Sequence, residues 1–318
     1  MDSLTKNRQD KETLGRMAAK FFAPLMMTDC EELTEGYFNV AYKLCLSNGR
    51  EVILKVAPPA GARIMTCEKN IMRSEVQAME KVSAVEGIPA PKVLGFDESC
   101  QICEAPYFFM EVLSGRSLST VKDTMTAKAQ RGVYEETGRI IRRVNAITCP
   151  CFGYPEQPAF QGMEWFPVFR KMLEAGIRDA AAGRVDLKIP TGELLRLLEK
   201  DRDVFVEVTK PCLVHWDCWD GNIFVESERV TGIIDWERCL WADPLMEVNF
   251  RTYGDNTWFR KGYGWEQFTD SEYRRALWYD IYLLILASLE CEYRQYDTMD
   301  MYRWAAGLLA EQFGKLAL

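Results

Sequence analysis

Residues 212–241 read CLVHWDCWDGNIFVESERVTGIIDWERCLW. Three apolar segments in this stretch are interrupted by polar side chains at fixed offsets. Residues 212–214 have the length and aliphatic character of a short buried strand. Residues 223–225 and 230–234 read as two more, joined by a polar turn at 226–229. His215, Asp217 and Asn222 fall in the turn-rich loop between the first strand and the second, and Asp235 ends the third. The second and third strands form a hairpin. Asn222, at the start of one, therefore lies beside Asp235, at the end of the other, at the open end. Asp217 precedes Asn222 on the same loop. An amide oxygen and two carboxylates converging on one point are hard ligands of the kind Mg²⁺ takes, with water and phosphate oxygens completing its shell.

The spacing His215-x-Asp217-x-x-x-x-Asn222 matches the catalytic loop of the kinase fold, and Asp235 stands where that fold has its metal-binding Asp. With Ala242-Asp243-Pro244 following, the stretch resembles the aminoglycoside phosphotransferase and choline-kinase-like family of small-molecule kinases rather than protein kinases. The resemblance implies an α+β, bilobal, protein-kinase-like fold. Residues 1–113 would form a small antiparallel sheet with one main helix that binds the nucleotide. Residues 114–318 would form a larger, mostly helical lobe with the catalytic loop and the acceptor-binding helices. The implied reaction is Mg²⁺-dependent transfer of the γ-phosphoryl group of ATP or GTP to a hydroxyl of a small molecule.

Composition sets outer bounds. The 318 residues are 48% hydrophobic and 27% charged, ordinary for a soluble globular protein. The net charge of −8 argues against nucleic acid as a partner and permits a cationic one. The first residues carry no apolar signal-peptide core, and the most apolar run, 276–289, is broken by Asp280 and Ser288. No membrane partner is expected, and the expected setting is the cytoplasm, as a monomer or weak dimer. There are eleven cysteines but one histidine, which nearly excludes Cys/His zinc sites. Cys100 and Cys103 form a lone CxxC, and Cys149 and Cys151 are too close for the usual pattern, so free thiols are expected.

Upstream, residues 11–22 read as a helix that ends before Pro24. Residues 31–47 read as two strands around a tip at Glu35-Gly36-Tyr37-Phe38-Asn39. The resemblance makes this tip the phosphate-covering turn, with Gly36 as its one glycine, although a plain β-turn accounts for it about as well. Residues 51–56 form a strand with Lys55 near its end, and a helix is expected at 67–82. By resemblance Lys55 holds the nucleotide phosphates and Glu75, on that helix, fixes the lysine; Glu68 and Glu80 are alternatives. Strands are expected at 92–96 and 106–113; the resemblance implies that the second runs into a hinge where main-chain groups of Glu111 and Leu113 would meet the adenine. Helices are expected at 126–147, 164–182, 191–208, 243–253, 272–292 and 299–313. The segment 254–268 reads as aromatic and irregular.

The roles follow from the resemblance. Asp217 orients the acceptor hydroxyl and takes its proton late. Asn222 and Asp235 hold Mg²⁺ between the phosphates. Glu237 either contacts a second metal through water or is a solvated rim carboxylate. His215 braces the loop rather than acting as a base. Asp243 is a structural cap.

The acceptor is less legible. Glu290, Glu292, Asp297 and Asp300 could gather into a cluster for a polycation, or be a solvated helix end. Trp216, Trp219, Trp236 and Trp241 could cage a quaternary ammonium, or simply pack the hairpin. Pro244 follows Asp235 by only nine positions, which leaves little room for a peptide platform and favours a small hydroxylated acceptor. Three readings remain: an antibiotic kinase, a kinase of choline, an amino alcohol or a sugar, and a nucleotide-binding module without turnover.

Overall fold

The computed structural model describes residues 5–34, 36, 38–254 and 256–317. Five strands make an antiparallel sheet: β1 (Met27–Leu33), β2 (Val40–Leu46), β3 (Glu51–Val56), β4 (Val93–Asp97) and β5 (Tyr107–Glu111), in the spatial order β1-β2-β3-β5-β4. The period of two in β5 shows how the sheet is buried on both faces. Tyr107 and Phe109 pack with Leu14, Met17 and Ala18 of α1 (Lys11–Phe22). Phe108 and Met110 point the other way, into the core that includes Met72, Val76 and Met79 of α2 (Ile71–Ser83). α1 starts where the Asp10 side chain accepts a hydrogen bond from Thr13 N at 2.7 Å.

The larger lobe begins with β6 (Arg116–Ser117), α3 (Leu118–Val121) and the long α4 (Ala127–Val144). α5 (Trp165–Gly183) and α6 (Thr191–Lys200) follow, then β7 (Cys212–Val214), β8 (Ile223–Glu226), β9 (Arg229–Ile233) and β10 (Leu240–Ala242). β6, β8 and β9 form one small sheet, and β7 and β10 pair in another. The lobe closes with α7 (Thr257–Tyr263), α8 (Asp270–Arg294) and α9 (Asp300–Ala317). α8 is apolar nearly all round and runs through the centre, with Trp278, Ile281, Leu284 and Ile285 fully buried. Its Tyr279 and Tyr282 meet Phe169 of α5 edge to face. Among the described residues no helix is long and apolar enough to cross a membrane. All eleven cysteines are unpaired.

Several boundaries differ from the sequence reading, each for a local reason. β1 starts at Met27, four residues early, because its register with β2 continues to Leu46. Glu68 lies in a separate 3-10 turn, Thr66–Glu68, cut off from α2 by Asn70 at φ 58°. The helix expected at 191–208 stops at Lys200 and continues only as a 3-10 turn, Arg202–Phe205. The helix expected at 243–253 does not form. Two 3-10 turns, Pro244–Met246 and Val248–Phe250, stand on either side of Glu247, whose ψ of 137° turns its side chain into the protein. The segment read as irregular contains α7.

α7 packs on α4 through paired glycines. A Cβ on Gly262 would stand 2.0 Å from the Glu135 carbonyl oxygen, and one on Gly138 would stand 2.2 Å from that of Phe259. Both obstacles are backbone, so neither can swing aside. Alanine ordinarily favours a helix over glycine by about 1 kcal/mol. Here the sign should reverse. Gly262→Ala is expected to lower stability by about 1–3 kcal/mol, seen as a drop of several degrees in Tm. An unchanged or raised Tm would show that the helices do not cross this closely.

Candidate active site

The loop after β7 is held from beneath by one buried carboxylate. Glu247 accepts hydrogen bonds from His215 N at 2.9 Å, Trp216 N at 3.0 Å and Asn145 Nδ2 at 2.9 Å. Asn145 also donates to Leu213 O and accepts from the Tyr263 hydroxyl. Burial still pushes the Glu247 acid up to about 7. The grip keeps Trp216 in the left-handed region at φ 65°, costly for a bulky residue. Its indole is stacked on Tyr282 of α8, centroids 5.4 Å apart.

His215 is wholly buried, and its ring is used at both nitrogens. Nδ1 accepts from Asp217 N at 3.2 Å and Nε2 donates to Ile234 O at 3.0 Å. Burial lowers its pKa to about 4. It is therefore a neutral brace between the loop and the β9 end of the hairpin, as its place in the motif suggested.

Asn222 Nδ2 donates to Asp217 O at 2.8 Å and Oδ2 at 3.3 Å, which leaves its Oδ1 to face other ligands. Asn222 O accepts from Ile234 N at 3.0 Å, so the hairpin register sets Asp235 next to the Asn222 end of β8. The far side of the loop is fixed by Asp220, which meets Lys122 at 2.7 Å and the Tyr134 hydroxyl at 3.0 Å. Burial pushes Asp217 up to about 6, against the pull of Arg238.

From the sheet, Lys55 Nζ reaches Glu75 Oε1 at 2.6 Å and Asp235 Oδ1 at 2.7 Å. One ammonium thus ties β3, α2 and the end of the β8–β9 hairpin, across 180 residues of sequence. Burial alone would discharge the lysine, but the two carboxylates outweigh it and hold its pKa above the usual value; Lys55 in turn holds Asp235 below. Glu75, Asp235 and Glu237 offer oxygens within 4.8 Å of one another. Glu80 is exposed on the other side of α2, and Glu68 is buried in a pair with Arg294 at 2.6 Å, so neither substitutes for Glu75. Glu237 is not a rim carboxylate: it is buried and accepts from Asn39 Nδ2 at 2.7 Å, which joins the start of β2 to the C-lobe.

The remaining expected residues are placed less tellingly. Gly36 is exposed, and a Cβ there would sit 3.6 Å from Asn39 O, so nothing in the described structure demands glycine. Its neighbours Glu35 and Tyr37 lie outside the described residues. Glu111 ends β5, and its carboxylate turns back to Lys92 N at 3.3 Å. The Leu113 side chain lies over Gly232, where a Cβ would meet it at 2.1 Å. Trp216, Trp236 and Trp241 are buried packing residues, and only Trp219 is half exposed, so these four form no cage. The C-terminal acids are largely paired: Glu290 with Arg238, Glu292 with Arg63, Asp300 with Arg303. Asp243 is structural, as expected, capping Leu245 N and holding Arg275 and the Tyr279 hydroxyl.

Sequence reasoning missed Glu247, Asn145, Asn39 and the Arg238–Glu290–Arg294–Glu68 chain. For Glu247 no local signal existed, because its partners at 145, 215 and 216 lie far from it in sequence.

Comparisons with known proteins bear on the fold and the family. A stretch of 127 residues is 30% identical to a subtelomeric hrmA-associated cluster protein of Aspergillus fumigatus, strain CBS 144.89 / FGSC A1163 / CEA10. That stretch is 39% of this chain and 24% of the relative, so the chain spans about a quarter of the curated protein it matches. Two solved structures share the fold across nearly the whole chain. One, from Thermobifida fusca YX-ER1 and assigned as a fructosamine-3-kinase, is 14% identical with a TM-score of 0.66, covering 97% of this chain and 99% of the other. The second is a thermostable mutant of aminoglycoside phosphotransferase APH(4)-Ia in ternary complex with AMP-PNP and hygromycin B. It is 15% identical with a TM-score of 0.63, covering 94% of this chain and 97% of the other. These establish a protein-kinase-like α+β fold. The model of the phosphotransferase enzyme family matches residues 29–263, well over half of the sequence, and the chain belongs to that family.

Proposed function

We propose that the protein transfers the γ-phosphoryl group of ATP or GTP to a hydroxyl of a small molecule. The observation that carries the reading is the Lys55 ammonium bridging Glu75 and Asp235 on the side of the hairpin where Asp217 and Asn222 meet. Phosphoryl transfer asks for positioning and charge neutralisation more than for covalent catalysis, and these residues supply both. Residues 1–113 contribute the nucleotide side, with Lys55 on the phosphates, Glu75 fixing it, Gly36 in the covering turn, and the Glu111 and Leu113 main chain at the adenine. Residues 114–318 contribute Asp217, which orients the acceptor hydroxyl and accepts its proton.

Asn222 and Asp235 fit a Mg²⁺ site. Asn222 keeps its amide oxygen free of the Asp217 contact, and Asp235 is held ionised. When bound, the ion supplies charge neutralisation at the phosphates.

Small-molecule kinases of the antibiotic and metabolite kinds remain the two branches of the reading. In the cytoplasm, as a monomer or weak dimer, either would need only MgATP or MgGTP and a hydroxylated acceptor. The test is direct. Purified protein is offered MgATP and a panel of sugars, amino alcohols and aminoglycosides, and cells expressing it are scored for drug susceptibility. ATP consumption should depend on one class of acceptor and vanish on chelation of the metal. Nucleotide binding with no turnover across the panel would point instead to a silent module.

A further inference from the structure

Residues 57–70 lead from β3 to α2, and Pro58, Pro59 and Gly61 keep the first of them out of regular structure. The lead is nonetheless tied to the large lobe. Thr66 donates to Asp179 of α5 from both N and Oγ1, at 2.7 and 2.8 Å. Glu68 is committed at both oxygens. Oε2 accepts from Met65 N at 2.8 Å, which closes its own turn, and Oε1 accepts from Arg294 of α8 at 2.6 Å. α2 starts just beyond, at Ile71, and carries Glu75 to Lys55.

Arg294 has a second contact with the small lobe. Its guanidinium carbon lies 5.2 Å from the centroid of the Phe38 ring, and Phe38 is 3% exposed. The next residue, Asn39, donates to Glu237 at 2.7 Å, and Glu237 offers an oxygen within 4.8 Å of Glu75 and Asp235. One arginine of α8 therefore grips the lead into α2 by charge and the turn before β2 by its planar face. Both lines of contact run on to the carboxylates that hold Lys55. Arg294 and Glu68 are buried, their side chains 5% and 6% exposed. A buried ion pair adds little to stability, because the loss of hydration offsets the attraction. What it can enforce is one arrangement of the elements that carry it.

We infer that Arg294 is a positioning residue for the phosphate side of the nucleotide site: it holds α2 and the turn that carries Phe38 against the large lobe, so that Lys55, Glu75 and Asp235 are assembled before the nucleotide arrives. The inference rests on the phosphotransferase reading. It separates Arg294 from a residue that merely fills the core, because its influence should fall on the phosphates and spare the adenine.

Two probes read that difference by calorimetry: AMP-PNP with Mg²⁺, which carries the phosphates, and adenosine, which does not. Arg294→Gln leaves Glu290 its Arg238 partner but deprives Glu68 of a cation. It should weaken AMP-PNP binding by about tenfold or more and leave adenosine binding within about twofold of wild type. Arg294→Lys should recover part of the loss, since an ammonium keeps the charge for Glu68 but not the planar face over Phe38. Phe38→Ala leaves every ion pair in place and should show the same phosphate-selective loss. Wild-type affinity for AMP-PNP in a folded Arg294→Gln protein, or equal losses for AMP-PNP and adenosine, overturns the inference. If Arg294→Gln does not fold, Phe38→Ala decides: a phosphate-selective loss supports the inference and unchanged affinity overturns it. Wild-type protein that binds no AMP-PNP at all would strike the phosphotransferase reading itself, and the inference with it.

Discussion

Asp217→Asn is expected to lower kcat by about 10³-fold while leaving nucleotide affinity close to that of the wild type. General-base assistance contributes on the order of 10²–10⁴ in rate, or about 3–5 kcal/mol of barrier. The substitution isolates that contribution because asparagine has nearly the same shape. The main-chain bond from Asn222 Nδ2 to Asp217 O does not involve the side chain and should persist, as should the Asp217 N bond to His215 Nδ1. What is lost is the basicity and the negative charge on which the proposed role of Asp217 depends. Lys55 and Glu75, expected on the phosphates, do not touch residue 217. Steady-state kinetics beside a nucleotide titration make the check. A kcat within about tenfold of wild type, ~1.4 kcal/mol, would mean that Asp217 is not the group that takes the proton.

Where local pattern and final structure coincide, the sequence was readable. β7, β8 and β9 are short aliphatic runs closed by turn residues, and the polar positions between them keep their offsets whatever the rest of the chain does. Lys55 and Glu75 were legible only through the family resemblance, since the sequence across the 20-position offset between them carries no periodic sign that β3 and α2 meet. Glu247 and Asn145 were not legible. Their roles arise because residues 102 apart in sequence close on one loop, and no window of sequence contains that contact. Residues 243–253 have adequate helical propensity, yet three N–H donors waiting under the loop after β7 draw Glu247 inward and break the helix there, a tertiary demand overriding a local one. α7 was hidden for the opposite reason. Bounded by Gly254 and Gly264 and holding three aromatic residues in seven, it looks like a loop until Gly262 is seen to lie against α4. The Arg238–Glu290–Arg294–Glu68 chain joins three distant elements, and Glu290 alone of its acids stood in the sequence among residues that could gather for a polycation or end a solvated helix.

Because Glu247 touches neither expected substrate, its removal separates loop positioning from chemistry. Glu247→Ala should leave His215 N, Trp216 N and one N–H of the Asn145 amide without an acceptor in a dry site. Each stranded donor costs about 1–3 kcal/mol before relaxation, so a loss of about 3 kcal/mol in stability is expected once water or a shift of the loop compensates in part. The same change frees Trp216 from its left-handed conformation, and Asp217 follows it. A displacement of about 1 Å at the proton acceptor is enough to lower kcat by about 10²-fold. Glu247→Gln provides the graded control. Its single carbonyl oxygen can still serve one side of the loop, but its amide nitrogen would confront another N–H, so both losses should be smaller than with alanine. Nucleotide affinity should hold in both variants, because Lys55, Glu75 and Asp235 do not contact Glu247. Thermal melting, a nucleotide titration and kcat measured on the same preparations decide the matter. If Glu247→Ala melts several degrees lower yet turns over at the wild-type rate, Glu247 is a core acid and the loop keeps its shape without it. If kcat falls as far for glutamine as for alanine, the negative charge of Glu247, rather than its grip on the main chain, is what the loop requires.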